Sequence, residues 1–144
     1  MSFRRFSVLS VESGRISGYV HGAGKIAVLV KMEASNDSEK LDILGKDIAM
    51  QITAMNPVSV SKDSCPKEVI EKELEIYRVQ IKEEGKPENM IEKIAQGKLA
   101  KFFKESTLED QTFVKDGKIS VAEYLKSVDA EVKVTGFYRF SLND

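Results

Sequence analysis

The spacing of apolar residues changes period along this chain, and the changes mark its elements. Residues 3–9 (FRRFSVL), 15–21 (RISGYVH) and 25–32 (KIAVLVKM) are rich in β-branched and aromatic side chains, with Glu12-Ser13-Gly14 and Gly22-Ala23-Gly24 between them. That pattern predicts three consecutive strands, and the short Gly-containing links predict antiparallel neighbours in a meander. The run IAVLV at 26–30 is apolar at every position, as expected of a central strand covered on both faces. The period then becomes helical, with Leu41, Leu44, Ile48, Ile52 and Met55 on one side and Lys40, Asp42 and Lys46 elsewhere. Asn36 to Ser38 offer capping side chains, Glu39 stands three residues after Asn36, and Asn56-Pro57 ends the helix. This stripe reads as a core face.

After a polar loop at 58–65, Pro66 opens a second helical stretch with Ile70, Leu74, Tyr77 and Ile81 on one side. Gly85 stops it and Lys86-Pro87 starts a third, with Pro87 suited to a first helical turn and Ile91, Ile94, Ala95, Leu99 and Phe102 on one side. Helices joined by so tight a turn run antiparallel, and their stripes can face each other. Residues 119–127 predict a short last helix, and VKVTGFYRFSL predicts a last strand. A strict period of two would put Val132, Val134, Gly136, Tyr138, Phe140 and Leu142 on one face of that strand. The expected fold is α+β: one domain over 1–144, an antiparallel sheet of about four strands (three N-terminal, one C-terminal) packed with helices, and a helical hairpin inserted at 66–106.

Composition narrows the function. A length of 144 residues, 42% hydrophobic and 31% charged, suits a single soluble domain. The net charge of −1 comes from interspersed charges that build no basic stripe, so a direct nucleic-acid partner is not expected. The longest apolar run is far too short for a bilayer, and no signal-peptide core follows Arg4 and Arg5. One cysteine, Cys65, allows no internal disulfide and fits a reducing compartment.

Two segments imitate ligand sites. Gly22-Ala23-Gly24-Lys25-Ile26-Ala27 resembles a dinucleotide fingerprint, but that chemistry needs the glycines to open a helix, and here a strand is expected; Ile26 also stands where a P-loop needs Ser or Thr. The segment from Asp116 to Glu123 imitates half of a calcium loop, yet Thr112 and Val114 would occupy its first carboxylate positions. His21 is the only histidine, and neither it nor Cys65 has the partners of a zinc site or a nucleophilic centre. No catalytic or metal-binding residue and no cofactor is therefore expected, and the chain reads as a protein that presents a surface.

The residues also resemble the C-terminal half of elongation factor Ts, the nucleotide-exchange factor for EF-Tu. The resemblance rests on Gly18-Tyr19-Val20-His21-Gly22 with Lys25-Ile26-Ala27-Val28-Leu29-Val30, on Lys46-Asp47-Ile48-Ala49-Met50-Gln51-Ile52 and on Asn56-Pro57. It continues through Gly85-Lys86-Pro87-Glu88, Gln111-Thr112-Phe113-Val114-Lys115 and Val134-Thr135-Gly136-Phe137-Tyr138-Arg139-Phe140. The ubiquitin-associated-like domain and the Thr-Asp-Phe-Val motif of such factors do not occur in these residues, and Arg4-Arg5-Phe6 resembles the segment following the first core repeat. The resemblance implies an EF-Tu partner met by Tyr19, His21, Gly22 and Lys25, with a contribution to GDP release, no covalent chemistry, and a place in the cytoplasm or an organelle matrix. It also implies, as in some members, a homodimer through the hairpin and its residues Ile70, Leu74, Tyr77, Ile81, Ile91, Ile94 and Leu99. A purely structural dimerisation module without exchange activity is the alternative.

Overall fold

The glycines at 22 and 24 do turn the chain back on itself. In the computed structural model, which describes residues 3–35 and 38–144, strand β1 (Gly14–His21) pairs antiparallel with β2 (Ile26–Glu33), and His21 stands opposite Ile26. Helix α1 (Glu39–Met55) follows, then α2 (Lys67–Glu83), α3 (Glu88–Ser106), α4 (Val121–Val128) and β3 (Lys133–Ser141). β3 pairs antiparallel with β2, so the sheet order is β1-β2-β3. The fold class is α+β.

The strand expected over 3–9 does not form, and the sheet has three strands among the described residues. Phe3, Phe6 and Val8 are 79%, 73% and 77% exposed. Phe3 and Phe6 are three positions apart, so a ladder would put them on opposite faces and bury at most one. Side chains hold this segment instead: Arg4 donates to the Asp144 carbonyl oxygen at 3.1 Å, and the Arg5 guanidinium lies 4.8 Å from the centre of the Phe140 ring.

α1 covers one face of the sheet. Val28, Val30 and Met32 of β2 meet Leu41, Leu44, Ile48 and Ile52 in the main core, while Met55, the last member of the expected stripe, is exposed. Arg15 of β1 pairs with Asp42 of α1. The capping expectation at Asn36 lies outside the described residues; Ser38 is the N-cap and makes no side-chain capping bond. β2 is central in strand order but covered on one face only, since Leu29 remains 37% exposed.

β3 departs from the strict alternation. Its register against β2 slips between Lys31 and Met32, leaving Thr135 as the extra residue of a bulge. Val132 and Val134 therefore face the core, whereas Tyr138 and Phe140, beyond the bulge, stack on each other on the open face. A period counted through a bulge assigns one half of the strand to the wrong face.

The hairpin forms a second core. Leu74, Ile81, Ala95, Leu99 and Phe103 are buried with Cys65, and Ile70, Tyr77, Ile91 and Ile94 pack around them. The stripes face each other as their spacing requires. Arg78 makes a fork with Glu92, Nε to Oε2 at 2.9 Å and Nη2 to Oε1 at 3.1 Å. The chain leaves the body at 58–60 and returns at 106–109 through a short neck, in which Leu108 and Glu109 N–H groups donate to the carbonyls of Ser59 and Val60.

The segment 111–115 is locked onto α1 by polar side chains. Gln51, fully buried, donates to the Thr112 carbonyl at 3.0 Å and accepts from the Val114 N–H at 2.9 Å. One turn earlier, buried Asp47 receives Lys115 Nζ and the Tyr124 hydroxyl, each at 2.5 Å. The Tyr124 ring stacks on Phe113 with centroids 4.0 Å apart. The would-be calcium segment has a plain structural use: Ser120 and Glu123 form a capping box that starts α4.

Candidate docking site at the turn end of the sheet

The turn between β1 and β2 uses left-handed backbone three times in succession. Gly22, Ala23 and Gly24 have φ of 61°, 55° and 86°, and the Lys25 N–H closes the turn on the Gly22 carbonyl at 3.2 Å. The loop leads into a strand, so it offers no helix N-terminus to a phosphate. Ala23 alone of the three carries a Cβ, which costs roughly 1–2 kcal/mol in this conformation. Replacing it with glycine relieves that strain against a smaller backbone-entropy loss of about 0.5–1 kcal/mol. Ala23→Gly is therefore expected to stabilise the chain by about 0.5–1 kcal/mol, read as a raised urea midpoint at unchanged slope.

The turn brings four residues, Tyr19, His21, Gly22 and Lys25, to one corner. Tyr19 and His21 are two residues apart on β1 and share a face, with the Tyr19 hydroxyl 3.1 Å from His21 Nδ1. Tyr19 is half-buried against the main core, whereas His21, Gly22 and Lys25 are exposed. The Tyr19 ring thus anchors an imidazole that stands in solvent. β1 is also an edge strand, so the backbone beside these side chains is open on its outer side. The same sheet face carries one residue that spacing did not single out: Arg139 of β3 stands opposite Val28, whose other neighbour is Tyr19. The bulge hides this, because it decides which face Arg139 takes.

The seven apolar hairpin residues gather elsewhere, in the second core, apart from this corner. Among the described residues no group of three or more His, Cys, Asp or Glu side chains is placed to hold a metal ion. No described helix is long and apolar enough to cross a membrane.

A family profile described as elongation factor TS matches residues 1–144. The chain belongs to the elongation factor Ts family. An elongation factor Ts of Clostridium kluyveri is 45% identical over 144 residues, covering 97% of this chain and 47% of that relative. One from Clostridium botulinum is 42% identical over the same extent. The chain spans about half the length of the curated relatives it matches. The matched stretch takes in strands, neck and hairpin alike.

Proposed function

We propose that this chain is the EF-Tu-docking half of an elongation factor Ts, with the turn end of the sheet as its contact. The observation that carries this reading is the corner itself: Tyr19, His21, Gly22 and Lys25 lie together at an exposed strand end, with the imidazole oriented by the Tyr19 hydroxyl. A pre-oriented aromatic pair beside a glycine turn loses little side-chain entropy on docking. Exchange by such a protein requires no bond chemistry; binding energy stabilises an EF-Tu state that holds GDP less well, so nucleotide leaves faster. No cofactor, membrane or nucleic acid takes part, and the setting is the cytoplasm or an organelle matrix.

His21→Ala tests this. Binding to nucleotide-free EF-Tu, followed by titration calorimetry, is expected to weaken about tenfold, as for a central interface residue. The thermal midpoint stays put, because an exposed ring contributes within about 0.5 kcal/mol to stability. Unchanged affinity would remove His21 from the contact.

A second reading, a homodimer through the hairpin, is favoured by one observation. Ile76 and Val79 are 39% and 48% exposed, on the side of α2 turned away from α3. Ile70, Leu74, Tyr77, Ile81, Ile91, Ile94 and Leu99 would act at one remove, by keeping the hairpin closed behind that surface.

A further inference from the structure

The hairpin joins the body through a narrow neck. Among the described residues its buried cluster and the main core have no member in common, and α2 and α3 pack chiefly on each other. An arm attached in this way swings about its neck unless something outside the hairpin fixes its direction. The end of α3 supplies that constraint. The last carbonyls of a helix have no partner within it, and two of those in α3 are taken from outside the hairpin. Ser106 accepts from the Val58 N–H at 2.8 Å, and Glu105 accepts from the Gln111 side-chain amide at 3.1 Å.

Gln111 is itself held. It is fully buried, and its Oε1 accepts from Nε2 of Gln51 in α1 at 3.3 Å. The orientation of each amide is set by a backbone partner. Gln51 takes the Val114 N–H on its oxygen and gives its nitrogen to the Thr112 carbonyl, while Glu105 offers Gln111 only an acceptor. A polar line therefore runs in one sense, from α1 through Gln51 and Gln111 to the last turn of α3. The Gln111 main chain is pinned as well, its N–H donating to the Thr107 carbonyl and its own carbonyl accepting from the Val121 N–H. Successive carbonyls lie about 100° apart around a helix axis. Bonds to two of them fix both where α3 ends and which way it points; a single bond leaves a pivot.

We infer that Gln111 is a positioning residue that sets the direction in which the hairpin leaves the body. This goes beyond the EF-Tu reading and does not depend on it. A hairpin held at one angle keeps Ile76 and Val79, exposed on α2, at a set distance from the turn end of the sheet. Two surfaces arranged in advance cost less ordering when both are engaged at once.

The test measures residual dipolar couplings of the backbone amides in the weakly aligned wild-type chain and in Gln111→Met, with the urea midpoint of each. Ile48→Val, which loosens the main core on the far side of α1 from the neck, is the control. In the wild type, couplings from 67–106 and from the sheet with α1 should fit one common alignment. Gln111→Met fills similar space but offers Glu105 no donor. Its hairpin couplings should no longer fit the wild-type orientation against the body, while each part still fits by itself. The urea midpoint should fall in Gln111→Met, where Glu105 and Gln51 lose a partner, and also in Ile48→Val. Only Gln111→Met should lose the common orientation. Separate alignments in the wild type would overturn the inference, as would a wild-type orientation retained in Gln111→Met. Loss of that orientation in Ile48→Val would overturn it too, because general loosening rather than this bond would then govern the arm. Should Gln111→Met not fold, Gln111→Asn, one methylene too short to reach both partners, carries the same prediction and the same refutation.

Discussion

Asp47→Ala is expected to cost the chain about 2–4 kcal/mol and to free residues 111–124 from α1. The carboxylate is 8% exposed at its side chain and takes two donors, Lys115 Nζ and the Tyr124 hydroxyl. Removing it strands the hydroxyl in a partly buried site and breaks the only charged link between α1 and the 111–115 segment among the described residues. Lys115 is 52% exposed and can return to water, which keeps the loss below that of a fully buried pair. Burial, and then the bond to Asp47, push the Tyr124 pKa above its ordinary value. A raised folded pKa contributes stability that is complete below the unfolded tyrosine value of 10.0 and is lost as pH rises toward the folded one. The wild-type urea midpoint should therefore fall above pH 10, and that alkaline fall should be smaller in Asp47→Ala. A variant within about 0.5 kcal/mol of wild type at neutral pH would mean the link carries no weight.

Gly45→Ala should destabilise by about 2–3 kcal/mol, although in most helices the same change stabilises by up to about 1 kcal/mol. Gly45 sits in the middle of α1 where the helix crosses β1, and a Cβ there would overlap Ser17 Oγ and Cβ and come within 2.9 Å of Met32 Cε. Met32 ends in a flexible methyl that can give way; Ser17 is fixed on a paired strand and buried. The helix would have to lift from the sheet, opening the contact of Leu44 and Ile48 with Val30. Ser17→Gly in the same chain should recover most of the loss, because it removes both atoms in the way. A double-mutant cycle without that coupling would contradict the close-approach account.

The helices were readable because their signals are local. Pro66, Gly85 and Pro87 punctuate the hairpin, and two matching stripes determine which faces meet. The sheet was less readable for two physical reasons. A strand needs a ladder partner, and the apolar content of residues 3–9 cannot show that those residues have none; Phe3 and Phe6 stand in solvent. A bulge changes the face of every residue beyond it, so Val134 and Tyr138 part company without any change in composition. At the proposed docking corner, the family resemblance singled out Tyr19, Gly22 and Lys25, and the place of His21 beside a glycine turn was legible in the residues themselves. Arg139 was not, because its proximity is made by β3 returning from the far end of the chain. Asp47 and Gln51 did leave a signal: four residues apart and interleaved with Ile48 and Ile52, they are polar groups on an apolar arc, the pattern of buried side chains with assigned partners.

The central claim is that this chain docks on EF-Tu through the turn end of its sheet. Its most direct test is to titrate the wild-type chain into nucleotide-free EF-Tu while following release of a fluorescent GDP analogue from loaded EF-Tu in parallel. The account predicts saturable binding and faster release of GDP, both weakened by His21→Ala. No binding at any concentration reached, or binding indifferent to His21→Ala, would contradict it.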